Sequence, residues 1–197
     1  MQAETEEIAV LAAGLIVDEG LDYGSAKRQA MKRLGLPARA AQPSNAQIEA
    51  AVESHIALFC ADTQPGELRA LRALALGWMQ RLAAFRPHLA GAVWRGTATR
   101  NSDIYLQLFC DDPKTAEITL IDLGIRYQPT RVTGFTGEAV DALSVRVSSQ
   151  ALGVQVGIHL IIYDFDDLRG ALKPDADGRS LRGDAAALAA LLQKEPV

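Results

Sequence analysis

The side chains best suited to chemistry gather in the stretch Gly96-Thr97-Ala98-Thr99-Arg100-Asn101-Ser102-Asp103-Ile104-Tyr105-Leu106. Asp103 opens an apolar run, where a carboxylate can hold a hard divalent cation or simply cap the loop before it. Gly96 and Thr97 read equally well as a plain strand-end turn. His159 stands alone in the apolar segment 154–163. An imidazole there is either a hydrogen-bonded sheet residue or a metal ligand, better suited to zinc, manganese or nickel than to magnesium. A second feature is basic. Lys27, Arg28, Lys32 and Arg33 fall opposite Ala26, Ala30 and Met31, and Arg39 follows. They form either a solvated helix face or a clamp for the phosphates of RNA, DNA or a nucleotide. Arg69, Arg72, Arg81, Arg95 and Arg100 are candidates to extend it. There is no P-loop lysine motif, no G-x-S-x-G elbow, no H-E-x-x-H and no paired C-x-x-C.

The elements that must position these residues change in kind along the chain. Ile8, Leu11, Ala12, Leu15 and Ile16 have the spacing of one buried helical face, ended by Asp18-Glu19-Gly20. A second helix is expected over about 24–34 and a linker from Pro37 to Pro43. Ser44 and Gln47 have capping-box form, opening a helix that carries Ile48, Ala51, Val52, His55 and Phe59. A fourth helix begins near Pro65 with the stripe Leu68, Leu71, Ala75, Trp78, Leu82 and Phe85, and Pro87 closes it. Beyond residue 90 the period drops from about 3.6 to about 2. Ala92-Val93-Trp94 reads as a short strand and 103–109 as a half-buried one. Asp112 and Pro113 start a helix that Gly124 stops. A strand at about 125–131, a loop at 133–137 and a long hairpin of 141–148 with 154–163 follow. A turn or short helix spans Asp164 to Arg169, Lys173 to Gly183 reads as polar loop, and Asp184 caps a last helix.

The string Gly-Thr, four residues, then Ser102-Asp103-Ile104-Tyr105-Leu106 resembles the signature of the nucleotidyltransferase-fold superfamily, the polymerase-beta-like proteins. The resemblance covers roughly residues 65–165 and is to a degenerate member of an uncharacterised bacterial group. It implies an α+β fold: a helical N-terminal region, then a small mixed sheet with flanking helices. The expected divisions are a helical extension over 1–42, a helical segment packing on the sheet over 43–89, and a nucleotidyltransferase-like domain over 90–197. By that resemblance Gly96 and Thr97 hold triphosphate oxygens, with Arg95, Arg100 and Ser102 beside them, because a glycine lets backbone amides approach closely. Asp103 is the first metal-binding carboxylate and the catalytic candidate. Carboxylates at i and i+2 of a strand share a face and, with a third from a later strand, hold two metal ions. Here the second position is Tyr105, a neutral phenol, and the third falls on His159. Asp164 and Asp166, near the end of that strand, look more like caps.

The bulk properties fit this picture. Hydrophobic residues are 49% and charged residues 22% of 197, a balance that forms a core. A net charge of -4 argues against general nucleic-acid binding, no apolar run spans a bilayer, and the acidic start is unlike a secretory signal. Cys60 and Cys110 read as buried thiols, and the protein as cytoplasmic. The leading expectation is a pseudoenzyme that binds a nucleotide, a nucleic acid such as RNA, or a partner protein. The alternative is an active transferase using Mg2+ or Mn2+ to move NMP from an NTP onto a hydroxyl of RNA, protein or a small molecule. A third possibility makes the N-terminal helices the working, partner-binding part.

Overall fold

The computed structural model describes residues 2–37, 39–175 and 178–194. The chain is α+β, a helical N-terminal region followed by a small mixed sheet with flanking helices. It divides into two compact units. One comprises the chain up to Glu67 together with Thr97–Ser102; the other comprises Leu68–Gly96 and everything from Asp103 on. No helix among the described residues is long and apolar enough to cross a membrane.

The first unit is built on α1 (Gln2–Glu19), α2 (Tyr23–Arg33) and α3 (Asn45–Phe59). Ile8, Ala12, Leu15 and Ile16 of α1 meet Ala26, Ala30 and Met31 of α2 and Ile48 and Val52 of α3 in one apolar core. Asp22 accepts from the Ser25 amide at the start of α2. Ser44 and Gln47 make the expected reciprocal capping box on α3, satisfying two amides that a helix start leaves without partners. Phe59 departs from expectation. It is the last residue of α3 and 73% exposed, with its ring 4.7 Å from that of His55.

The helix α4 (Gln64–Arg81) carries the stripe Leu68, Leu71, Ala75 and Trp78 into the core of the second unit. A 3-10 turn, Ala83–Phe85, continues it, so that Leu82 and Phe85 are buried as the spacing requires. The sheet has six strands in the order β3 (Gln128–Thr133), β4 (Ala139–Ser149), β5 (Val154–Asp164), β2 (Ile104–Cys110), β1 (His88–Ala90) and β6 (Arg182–Gly183). The β2–β5 pair is parallel and the rest are antiparallel. Ile104, Leu106 and Leu108 are completely buried on one face of β2, which leaves Asp103, Tyr105, Gln107 and Phe109 to the other. Asp112 caps the helix α6 (Pro113–Asp122) as expected.

Two segments differ from the sequence reading. Ala92-Val93-Trp94 is not a strand but lies in a short helix, α5 (Gly91–Arg95). Gly91 turns the chain out of β1 with a left-handed φ of 74°, and Arg72 holds the end of the turn by donating to the carbonyls of Val93 and Trp94, each at 2.9 Å. A buried guanidinium thus supplies the donors that the last carbonyls of a helix need. The loop expected from Lys173 to Gly183 ends instead in β6, which pairs with β1. Gly183 is required there, because a Cβ would lie 2.0 Å from the Trp94 ring. Cys60 and Cys110 are free and only half-buried, against the expectation of buried thiols.

Candidate functional site

On the β2–β5 pair the sheet register sets His159 directly beside Tyr105, and β4 sets Ser144 on the far side of His159. Side chains at such opposed positions share a face, so the candidate metal residues come together. Asp103 Oδ2 lies 3.0 Å from His159 Nε2. Its other oxygen, Oδ1, accepts from the Gly157 amide at 2.9 Å. His159 Nδ1 lies 2.9 Å from Ser144 Oγ, and the imidazole stacks on the Tyr105 ring at 4.8 Å with a 25° angle between planes. The hydrogen bond from His159 holds the Asp103 carboxyl below its ordinary pKa. Burial opposes that effect, while the charge of His159, the Gly157 amide and the charge of Arg146 add to it. With Nε2 protonated the ring donates to the Asp103 carboxylate, and whether Nδ1 donates to or accepts from the Ser144 hydroxyl follows from the tautomer.

Gly157 makes this approach possible. A Cβ there would sit 2.5 Å from Asp103 Oδ1. Ser144, Gly157 and Arg146 were not singled out from the sequence. The one usable signal was a glycine inside the apolar strand Val154–Asp164, a common mark of close approach.

The expected phosphate-binding residues are distributed between the two units. Arg95 and Gly96 belong to the second, where Gly96 caps α5 with a φ of 97°. Thr97, Arg100 and Ser102 belong to the first, where the Thr97 and Ser102 hydroxyls and the Arg100 backbone amide have partners. Thr97 Oγ1 donates to Glu49 Oε1 at 2.9 Å, and Glu49 also accepts from the Tyr23 hydroxyl. The Arg100 amide donates to Glu67 Oε2 at 2.9 Å, and Ser102 Oγ accepts from the Thr99 amide at 3.0 Å. Thr99 Oγ1 and Asn101 Nδ2 both donate to the Val17 carbonyl, so the segment serves as the C-terminal cap of α1. On the basic helix, Arg33 pairs with Glu19 at 3.0 Å, Lys27 donates to Asn45 and Arg28 to Ser25.

These donors do not fit a two-metal centre. Both oxygens of Asp103 and both ring nitrogens of His159 have protein partners, and Tyr105 offers a neutral phenol where a hard cation needs a carboxylate. Among the described residues no group of three or more His, Cys, Asp or Glu converges on a point.

No family model matches the chain, and no curated protein does. Among solved structures it aligns with the Cid1 poly(U) polymerase, in a crystal structure with MgGTP bound, at 12% identity and a TM-score of 0.37. The alignment covers 58% of this chain and 38% of that one, so the chain spans well under half the length of that polymerase. A likeness this slight carries neither fold nor function. The class of the protein rests on its strand order and register: an α+β chain with a mixed sheet and an Asp–His–Ser hydrogen-bonded set on one sheet face.

Proposed function

We propose that this chain is a nucleotidyltransferase-type pseudoenzyme, one that binds a nucleotide on the sheet face without metal-dependent transfer. The observation that carries the reading is the direct Asp103–His159 contact at 3.0 Å. It stands where the string Ser102-Asp103-Ile104-Tyr105-Leu106 and the parallel β2–β5 register lead one to expect carboxylates sharing metal ions. Both ring nitrogens of His159 are engaged, one by Asp103 and one by Ser144, so the imidazole would have to give up a partner to ligate a cation. An active transferase would require Asp103 and His159 to release one another first. Tyr105 and His159 give the face stacked rings, and Tyr105 is 37% exposed. Such rings accept a base without reading its identity.

The test is calorimetric titration of ATP, CTP, GTP and UTP with magnesium, with manganese and with EDTA. Binding is expected to persist in EDTA, with no divalent-dependent release of pyrophosphate. Divalent-dependent nucleotide transfer lost in Asp103→Ala would refute the pseudoenzyme, and absence of any nucleotide binding would remove the ligand from the proposal.

A further inference from the structure

Among the described residues of the second unit two arginines are buried, and the protein treats them differently. Arg72 donates to the carbonyls of Val93 and Trp94. Arg182 is 7% exposed, and its Nε and Nη1 have no hydrogen-bond partner among the described residues. A guanidinium taken out of water is expected to be paired, because its charge and its donors both lose solvation. Its contact is instead with the Phe135 ring, whose centroid lies 4.9 Å from the guanidinium carbon. Burial pushes its pKa down, opposed by Tyr163.

The surroundings are as unusual as the residue. Ala90 is the register partner of both Arg182 and Tyr105, so all three project to one face of the sheet, with Gln107 two positions along β2. Gln107 is also buried, and its Oε1 is without a donor among the described residues. Phe135 tilts against Tyr163 at 4.5 Å, and its amide donates to the Tyr163 hydroxyl, which folds the 134–137 turn onto the same face. Gly134 allows that fold, because a Cβ there would sit 3.0 Å from the Tyr163 ring. One sheet face therefore carries unsatisfied cationic donors and an unsatisfied acceptor, with the Phe135 ring against the guanidinium.

We propose that Arg182 anchors an anion site beneath the 134–137 turn, one that takes a phosphate monoester. The phosphate oxygens accept from Arg182 Nε and Nη1, and a hydroxyl of the same ligand donates to Gln107 Oε1. The guanidinium supplies fixed positive charge, so the site binds phosphate without a divalent ion. This inference is independent of the nucleotide reading. A phosphate site that ignores all four nucleotides sustains the one and removes the nucleotide from the other.

The experiment uses the full chain in EDTA at constant ionic strength, with inorganic phosphate and glycerol 3-phosphate as probes and acetate as the comparison anion. Saturable heat, and movement of the Phe135 and Tyr163 ring resonances, are expected with both phosphates. Glycerol 3-phosphate should bind more tightly, and that advantage should vanish in Gln107→Met. Arg182→Met should weaken both by about tenfold or more. Absence of saturable binding by either phosphate in the unaltered protein overturns the site, and that result does not depend on whether any variant folds. Equal affinity in a folded Arg182→Met overturns it as well, and acetate binding as tight as phosphate overturns the ligand class.

Discussion

Replacing Gly157 by alanine tests whether the Asp103–His159 contact is a built feature of the sheet. Gly157 lies within β5 and has no left-handed φ, so its backbone suits alanine without strain. By itself the change should stabilise a strand by about 0.5–1 kcal/mol. Here the new Cβ would come within 2.5–2.8 Å of three atoms of the Asp103 carboxyl group. The carboxylate is the far end of a short side chain, 38% exposed, and can swing into water. In doing so it forfeits the Gly157 amide and His159, two bonds worth about 1 kcal/mol each. The net expectation is destabilisation by about 1 kcal/mol. In an Asp103→Ala background nothing remains to be displaced, and the same change should stabilise by about 0.5–1 kcal/mol. Urea unfolding of the four proteins of this cycle at neutral pH, with m checked for constancy, reads both signs. A Gly157→Ala protein as stable as its parent, or a coupling indistinguishable from zero, would refute the reasoning.

Further outcomes follow from the same geometry. Because the folded protein holds the Asp103 carboxyl below its ordinary pKa, that stabilisation is complete above about pH 4 and is lost as pH falls through the lowered value. Asp103→Asn should flatten this part of an acid unfolding curve, and an unchanged curve would count against the contact. Tyr105→Asp combined with His159→Asp restores carboxylates at both expected positions, and electron paramagnetic resonance should then detect saturable Mn2+ binding. Failure in a folded double variant would show that more than these side chains was lost. Gly183→Ala drives a Cβ to 2.0 Å from the Trp94 ring, which is held by its Nε1–H donating to the Ser180 carbonyl at 2.8 Å. Overpacking against a pinned ring should cost about 3 kcal/mol, read as a lowered urea midpoint, and a neutral effect would refute the packing.

Most elements of this fold could be read locally. The stripe from Leu68 to Phe85 and the alternation of β2 each announce a buried face by their period alone, and Ser44 with Gln47 announces a helix start. Three residues at 92–94 are too few for a period to appear, and Gly91 decided their conformation. The candidate site was half legible. Asp103 and His159 were marked by type and position, but their contact is set by register between strands distant in sequence. Ser144 and Gly157 acquire a role only from that register. Thr97 was marked as a ligand by its place in a familiar string, and its bond to Glu49, far away in sequence, had no local signal. Arg182 sat in a polar stretch that carried no strand signal, and β6 has only two residues to give one.

The parallel pairing of β2 with β5 also sets a timetable for biosynthesis. Asp103 and His159 are 56 positions apart, so β2 leaves the ribosome well before the strand that will cover its open edge. At roughly 5–20 residues per second that delay is about 3–11 s. Until β5 is made, the edge of Ile104–Phe109 that it pairs with in the finished sheet lacks its partner strand. An uncovered apolar edge templates pairing with other chains, and the β3–β4 hairpin is synthesised within the same interval. Translation speed and chaperone supply, more than the equilibrium stability of the finished sheet, should therefore govern how much of this protein a cell recovers in soluble form.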